Sequence, residues 1–453
     1  MRCLMIPQIA VGEVMSESDF YAHLCIMRVL RDIEPSFFYV WLRSKDAKKV
    51  KPLPNTEYFF EELQLGFYQL MAGATGRLVE LFNRQKGRYP VDVVFTSRAG
   101  LAPILALALS SERYKVGSVM PVVITEPRVY WLQEEAFHNK VAYTDTVIRG
   151  AGYATCYGIY WSDFERENAL KCASLLLAPS AVKAMEERSF VVDALVDVPP
   201  PKAAKDPVRK RLIFAGRLNA NKRWREILEA YAKVLMARTD VEVWLHSGTG
   251  AFSKLDKTNA RWHRTSERLS TEAYLDLLAS SHAGAYLSRD EGMNVTTQEM
   301  IASGIVMVLP KRPWVERILP NYPFTVKSPD ELPPLLDYIL DNYEECSKKL
   351  EPFRDLIRRR NGYEAFKSKF ERVVEKIKEQ NEKEGVCEAF RKIALDVLRE
   401  RKSVKFSHLL SGLPGWTDAE PKRSAYRGMY MCYRAVREFD DMESADPVLN
   451  LRG

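Results

Sequence analysis

Two carboxylates, Glu291 and Glu299, stand with seven residues between them in the stretch DEGMNVTTQEMIASGIVMVLP, residues 290–310. Apolar runs of strand length, AYLS before and IVMVLP after, make the intervening EGMNVTTQEMIAS a loop feeding a helix. Thr296 or Thr297 is expected to cap that helix, with Glu299 in its first turn. A helix start offers unpaired N–H groups and a partial positive charge, which suits a phosphate. Gly292 lets a ligand approach the backbone closely. A carboxylate beside such a seat can accept two hydrogen bonds from a vicinal diol such as a ribose. One glutamate would then grip a ribose, and the other a second polyol across the phosphates. Taken alone, the same pattern also fits a plainer account, with Glu299 favoured by the helix dipole and Glu291 a surface carboxylate.

A second constellation bears on that choice. In RLIFAGRLNANKRW, residues 211–224, Ala215 and Gly216 end a strand, and Arg217 and Lys222 follow five residues apart on the loop. Two cations at a strand's carboxyl end, opposite a helix-start phosphate seat, make a clamp for a diphosphate. An isolated pair would read as a basic surface loop. Here both clusters fall in one predicted domain, each at a strand end.

The elements that must position these residues alternate along the chain. Strands are expected at 3–7, 37–42, 91–96, 121–125 and 174–179, then at 211–216, 241–247, 283–288 and 305–310. They are continuous β-branched and aromatic runs, the signature of parallel strands buried on both faces. Amphipathic stretches such as REILEAYAKVLMAR (225–238) and TEAYLDLLASS (271–281) lie between them, which predicts α/β architecture with doubly wound sheets. DVPPPKAAKDPVRKR (197–211) interrupts the pattern, and its prolines cannot continue a central strand. The organisation expected is a Rossmann-like domain over 1–198, a linker over 199–210, a second Rossmann-like domain over 211–375 and a helical extension over 376–453. Ligands in such sheets bind at the carboxyl ends of strands, so a cleft between two facing domains is the default site.

At this point the sequence resembles a known family. GRLNANK, then EGMNVTTQEMIASGIVMVLP, then WVERIL (314–319) are similar to the donor domain of GT-B glycosyltransferases, in particular retaining glycosyltransferase family 4 with its E-x7-E pattern. The likeness spans roughly residues 208–345. It implies that Arg217 and Lys222 bind the donor diphosphate beside Gly216, and that Glu299 binds the nucleotide ribose. It implies also that Glu291 reads hydroxyls of the transferred sugar, with Gly292, the backbone N–H groups of Met293, Asn294 and Val295, and Thr296 near sugar and phosphate. HSGTG (246–250) corresponds to a glycine-bearing turn, and RWHRTSERLS (261–270) lies where the base is held. The implied substrate is a UDP-, GDP- or ADP-sugar, with no cofactor and no metal. No D-x-D stands at a strand end, and Asp440-Asp441 falls in the tail.

The N-terminal half departs from the family pattern. QIAVGEV (8–14) keeps one glycine, Gly12, where a pair is usual, and PVVITEPRVYW (121–131) lacks the expected histidine, with Glu126 near its place. Eight aromatics lie from Tyr130 to Trp161; half are expected in the core, and the others would suit an acceptor groove. Residues 1–200 carry 22 Lys and Arg against 23 Asp and Glu, and residues 201–453 carry 45 against 37. The net charge of +7 is therefore local, concentrated around 205–225 and 353–360, and reads as a solvated face or a phosphate pocket rather than a nucleic-acid track. A glycan or glycolipid hydroxyl is the expected acceptor. A hydroxylated DNA base is the alternative, and an inactive sugar-nucleotide-binding module is a third reading. Seven scattered cysteines without a CxxC pair indicate reduced thiols and a cytoplasmic setting. No run has the ~18 apolar residues of a transmembrane segment; the basic helices at 353–405 would suit peripheral contact with an anionic membrane.

Overall fold

The computed structural model describes residues 2–6, 17–33, 35–43, 53–61, 93–96, 122–125, 157–199, 205–216, 218, 222–246, 261–265, 269, 271–289, 291, 293–383, 403–405 and 448–450. Two compact units divide the chain: Met1–Val192 together with Lys367–Gly453, and Asp193–Phe366.

In the first unit, β1 (Arg2–Ile6), β2 (Phe37–Arg43), β3 (Thr56–Glu61), β4 (Val93–Thr96), β5 (Val122–Thr125), β6 (Tyr157–Tyr160) and β7 (Ser189–Val191) form one sheet in the order β3-β2-β1-β4-β5-β6-β7. Every pairing in it is parallel. Helix α1 (Glu17–Ile33) returns the chain between β1 and β2 and buries Ile26, Met27, Val29 and Leu30. The apolar run at 174–179 is not a strand. It spans the end of α2 (Asp163–Leu176) and the start of α3 (Pro179–Glu187). Ser162 caps α2 by accepting from the Glu165 N–H at 3.1 Å, and Ala169 and Ala173 turn a helical stripe onto Tyr160 and Met185. Pro179 then opens α3, so three leucines in a row mark a helix end. Of the eight aromatics, Tyr157, Tyr160 and Trp161 are core residues; the other five lie outside the described residues.

The second unit repeats the scheme with β8 (Lys210–Ala215), β9 (Val241–His246), β10 (Trp262–Thr265), β11 (Ala283–Ala285), β12 (Val306–Pro310) and β13 (Thr325–Val326), in the order β10-β9-β8-β11-β12-β13 and again parallel throughout. β12 is buried at every residue, whereas β9, the corresponding strand on the other side of the sheet, alternates. The helices are α4 (Trp224–Ala237), α5 (Thr271–Ser280), α6 (Val295–Ala302), α7 (Pro313–Ile318), α8 (Leu332–Asp341) and α9 (Tyr343–Asn361). Helix α10 (Tyr363–Lys383) carries the chain from the second unit back to the first, where Phe370 stacks on Phe95 with ring centroids 6.3 Å apart. Strands β14 (Ser403–Lys405) and β15 (Val448–Asn450) pair antiparallel; the tail segments 387–402 and 424–441 lie outside the described residues.

The basic stretches are largely committed internally. Lys210 faces Asp240 at 3.8 Å, and Arg209 and Arg211 face Glu242 at 3.6 and 3.7 Å. Arg354 reaches the Ala302 carbonyl at 3.4 Å, and Arg358 meets Asp355 at 3.4 Å. No described helix is long and apolar enough to cross a membrane.

Candidate active site

The order of the second sheet reverses between β8 and β11, where crossovers leave in opposite directions, and ligands of such sheets bind at the carboxyl ends of the strands at this switch point. A buried tyrosine stands between the two strands. Pairing of β8 with β11 runs Leu212–Ala283 and Ile213–Gly284. Beyond that point the Tyr231 hydroxyl, from α4, donates to the Ile213 carbonyl at 2.7 Å and accepts from the Ala285 N–H at 2.8 Å. A side-chain oxygen thus stands where a further ladder bond would run, and the strands part. Burial pushes the Tyr231 hydroxyl well above its ordinary range, so it stays protonated and can fill both roles.

At the mouth of this split, Gly216 ends β8 with φ +155°, a conformation that favours glycine, and donates to the His246 carbonyl at 3.1 Å. Arg217 and Gly292 lie outside the described residues. Lys222, only 8% exposed, sits in the turn before α4. Its Nζ contacts Glu291 Oε1 and lies 4.6 Å from the centroid of the Tyr286 ring, while the Tyr286 hydroxyl donates to the same carboxylate oxygen at 3.1 Å. Tyr286 follows β11 directly. The structure therefore brings together Lys222 and Glu291, which the sequence placed 69 residues apart. A cation in contact with a carboxylate is a pre-oriented pair, and each partner can exchange the other for a ligand's phosphate or hydroxyl.

Helix α6 carries the other cluster. Its cap is Asn294, not Thr296 or Thr297. Asn294 adopts φ 44°, ψ 63°, a left-handed conformation that asparagine tolerates, and its side-chain oxygen accepts from the Thr297 N–H at 3.2 Å. Among the described residues its Nδ2 is buried without a hydrogen-bond partner, as is Thr297 Oγ1. With Val295 as the first helical residue, Thr296 falls in the first turn, and Glu299 moves to the second. Burial pushes the Glu299 carboxyl up to about 7, a rise opposed by the Tyr274 hydroxyl, which donates to Oε2 at 3.4 Å. The Glu299 side chain keeps part of its surface exposed. The Tyr274 ring lies 5.4 Å from that of His246, whose Nδ1 is 2.7 Å from Thr265 Oγ1. Glu299, Tyr274, His246 and Thr265 form a run of contacts across the ends of β9 and β10. Tyr274 was not singled out from sequence; its only signal there is an aromatic in the first turn of TEAYLDLLASS. Among the described residues no group of three or more His, Cys, Asp or Glu comes together as a metal site.

No protein-family model and no curated protein matches the sequence. Solved structures do. The structure of Anabaena HepE in complex with UDP-glucose matches with TM-score 0.59 and 13% identity, covering 84% of this chain and 100% of HepE. Sucrose-phosphate synthase from Thermosynechococcus elongatus matches with TM-score 0.60 and 11% identity over 83% of this chain and 98% of that one. A trehalose-6-phosphate synthase structure concerned with glycosyltransfer with retention matches with TM-score 0.56 and 14% identity over 84% and 99%. These are GT-B proteins. This chain has the GT-B fold. Within that GT-B fold, Lys222, Glu291 and the amino end of α6 all belong to the second Rossmann-like unit.

Proposed function

We propose that the chain is a retaining glycosyltransferase of family 4 type, moving a sugar from a nucleotide-diphosphate sugar to a hydroxyl acceptor. The observation that carries the reading is the Lys222–Glu291–Tyr286 cluster at the mouth of the split between β8 and β11. A diphosphate arriving there meets Lys222 and the amino end of α6, and displaces the lysine from Glu291. The carboxylate is then left to accept from hydroxyls of the sugar. The buried Nδ2 of Asn294 supplies a further donor, and Glu299 takes the ribose diol with Tyr274 against it. A uridine donor is favoured by the UDP-glucose bound to HepE. Arg217 joins Lys222 on the diphosphate, as its place in GRLNANK implies.

In the transfer the bond between the anomeric carbon and the diphosphate oxygen breaks, its electron pair going to the diphosphate. Lys222, Arg217 and the helix start stabilise that charge without a metal. The acceptor oxygen bonds to the anomeric carbon from the same face, and its proton passes to the departing phosphate oxygen. Residues 1–198 would bind the acceptor, a glycan or glycolipid. Glu126 lies outside the described residues and is assigned no part.

Incubation with pooled UDP-, GDP- and ADP-sugars, sugar acceptors and a hydroxymethylated duplex, read by mass spectrometry, tests the reading. Release of UDP with a hexose-sized gain on a glycan or lipid is expected. A gain on the oligonucleotide would replace the acceptor class. Absence of release with every donor and acceptor would overturn the reading.

A further inference from the structure

The turn that carries Met293 and Asn294 is held from an unexpected direction. Gln298, 1% exposed on α6, donates through Nε2 to the Met293 carbonyl at 2.7 Å. Its Oε1 accepts from Arg360, near the end of α9, at 3.3 Å. Arg360 Nε in turn donates to Asn361 Oδ1 at 2.9 Å. Asn361 is also 1% exposed. Its Nδ2 donates to the Ala194 carbonyl at 2.8 Å, and its own carbonyl accepts from the Val196 N–H at 2.8 Å. The chain enters the second unit at Asp193 and leaves it at Phe366. A continuous polar relay thus runs from the segments by which the chain enters and leaves the unit, through Arg360 and Gln298, to the carbonyl just before the helix cap.

We infer that Gln298 and Arg360 are positioning residues for the donor site: Arg360 orients the Gln298 amide, which fixes the Met293–Asn294 peptide and so aims the backbone N–H groups that receive the donor phosphates. The left-handed Asn294 supports this assignment. Asparagine reaches positive φ at modest cost, and the bond to Met293 restrains the peptide that precedes it. A glutamine whose oxygen and nitrogen are both committed in opposite directions is locked in one amide orientation, so loss of either bond frees the turn. The inference rests on the proposed donor site, and the relay's effect on the turn is measurable apart from it.

The test uses the full chain with Gln298→Leu, Arg360→Leu and the double variant. Arg360→Leu, at a partly exposed position, serves where the buried substitution unfolds the protein. Calorimetric titration of UDP-glucose is expected to show about tenfold weaker binding in each single variant and no further loss in the double, because the two act in series. Uridine, which has no phosphate to meet the turn, should bind each protein alike in an NMR titration. Amide exchange at Met293–Thr297 should accelerate in both single variants. Unchanged UDP-glucose binding, additive losses, or equal losses for uridine and UDP-glucose would each overturn the relay. A wild-type protein that binds no nucleotide, with exchange still accelerated in the variants, would uphold the relay's hold on the turn and remove the donor reading instead.

Discussion

Replacing Glu299 by glutamine should strengthen the fold and weaken the site, and the pH dependence of each effect is fixed by the same carboxyl. Burial raises that carboxyl from 4.5 to about 7. Between those values the folded chain keeps a proton that the unfolded chain has released, so wild-type stability falls as pH rises through the window. Above pH 7 the full loss is about 3 kcal/mol at most. Water reaching the half-buried side chain reduces it to about 1–3 kcal/mol. Glutamine has nothing to ionise. Urea unfolding at pH 4.5 should therefore find the two proteins alike, and at pH 8 should find Glu299→Gln more stable by that 1–3 kcal/mol. Donor binding runs the other way: in the proposed function the ribose diol needs the ionised Glu299, so wild-type affinity should rise about tenfold from pH 6 to pH 8. The variant should bind weakly at both. A stability gap independent of pH, or a wild type more stable than the variant at pH 8, would refute the reasoning about burial.

Other perturbations reach the same architecture. Lys222→Met removes the cation that the proposed function sets against the diphosphate and, among the described residues, leaves Glu291 with Tyr286; turnover should fall on the order of 10²-fold, measured as nucleotide release. Tyr231→Phe strips the oxygen that bridges Ile213 and Ala285, stranding two buried backbone groups, and should cost about 1–3 kcal/mol in urea unfolding. Gly284→Ala would set a Cβ 2.8 Å from the Ile213 carbonyl and 2.9 Å from Met307 Sδ, so β8, β11 and β12 cannot close around it; a loss of about 1–3 kcal/mol is expected by the same measurement.

Much of this was legible in the residues because the central strands are buried on both faces and read as unbroken apolar runs. β4, β8 and β12 are such strands, and the strand–helix alternation between them gave the doubly wound architecture. Where burial is partial the signal weakened. β10, a half-buried edge strand, was not among the expected strands, and β13 pairs over two residues. The apolar triplet at 175–177 misled in the opposite direction, because a helix end packed on Tyr160 is as apolar as a strand. Residue types at strand ends singled out Lys222 and Glu291 as candidates, and the structure places them in contact. Their contact, the Tyr231 wedge and the bond of Arg360 to Gln298 were not readable, since each joins residues far apart in the chain. The cap of α6 was misplaced by two or three residues. Threonine fits the usual cap preference, but only asparagine's tolerance of positive φ lets the chain turn where it does.

The most direct measurement is a calorimetric titration of wild-type protein and Lys222→Met with UDP, UDP-glucose, and GDP and ADP as comparisons. Saturable one-to-one binding of UDP-glucose to the wild type, lost or weakened at least tenfold in Lys222→Met, is the expected result. A wild type that binds none of the four nucleotides, or a variant that binds UDP-glucose as tightly as the wild type does, would contradict the assignment of this cluster as a nucleotide-sugar site.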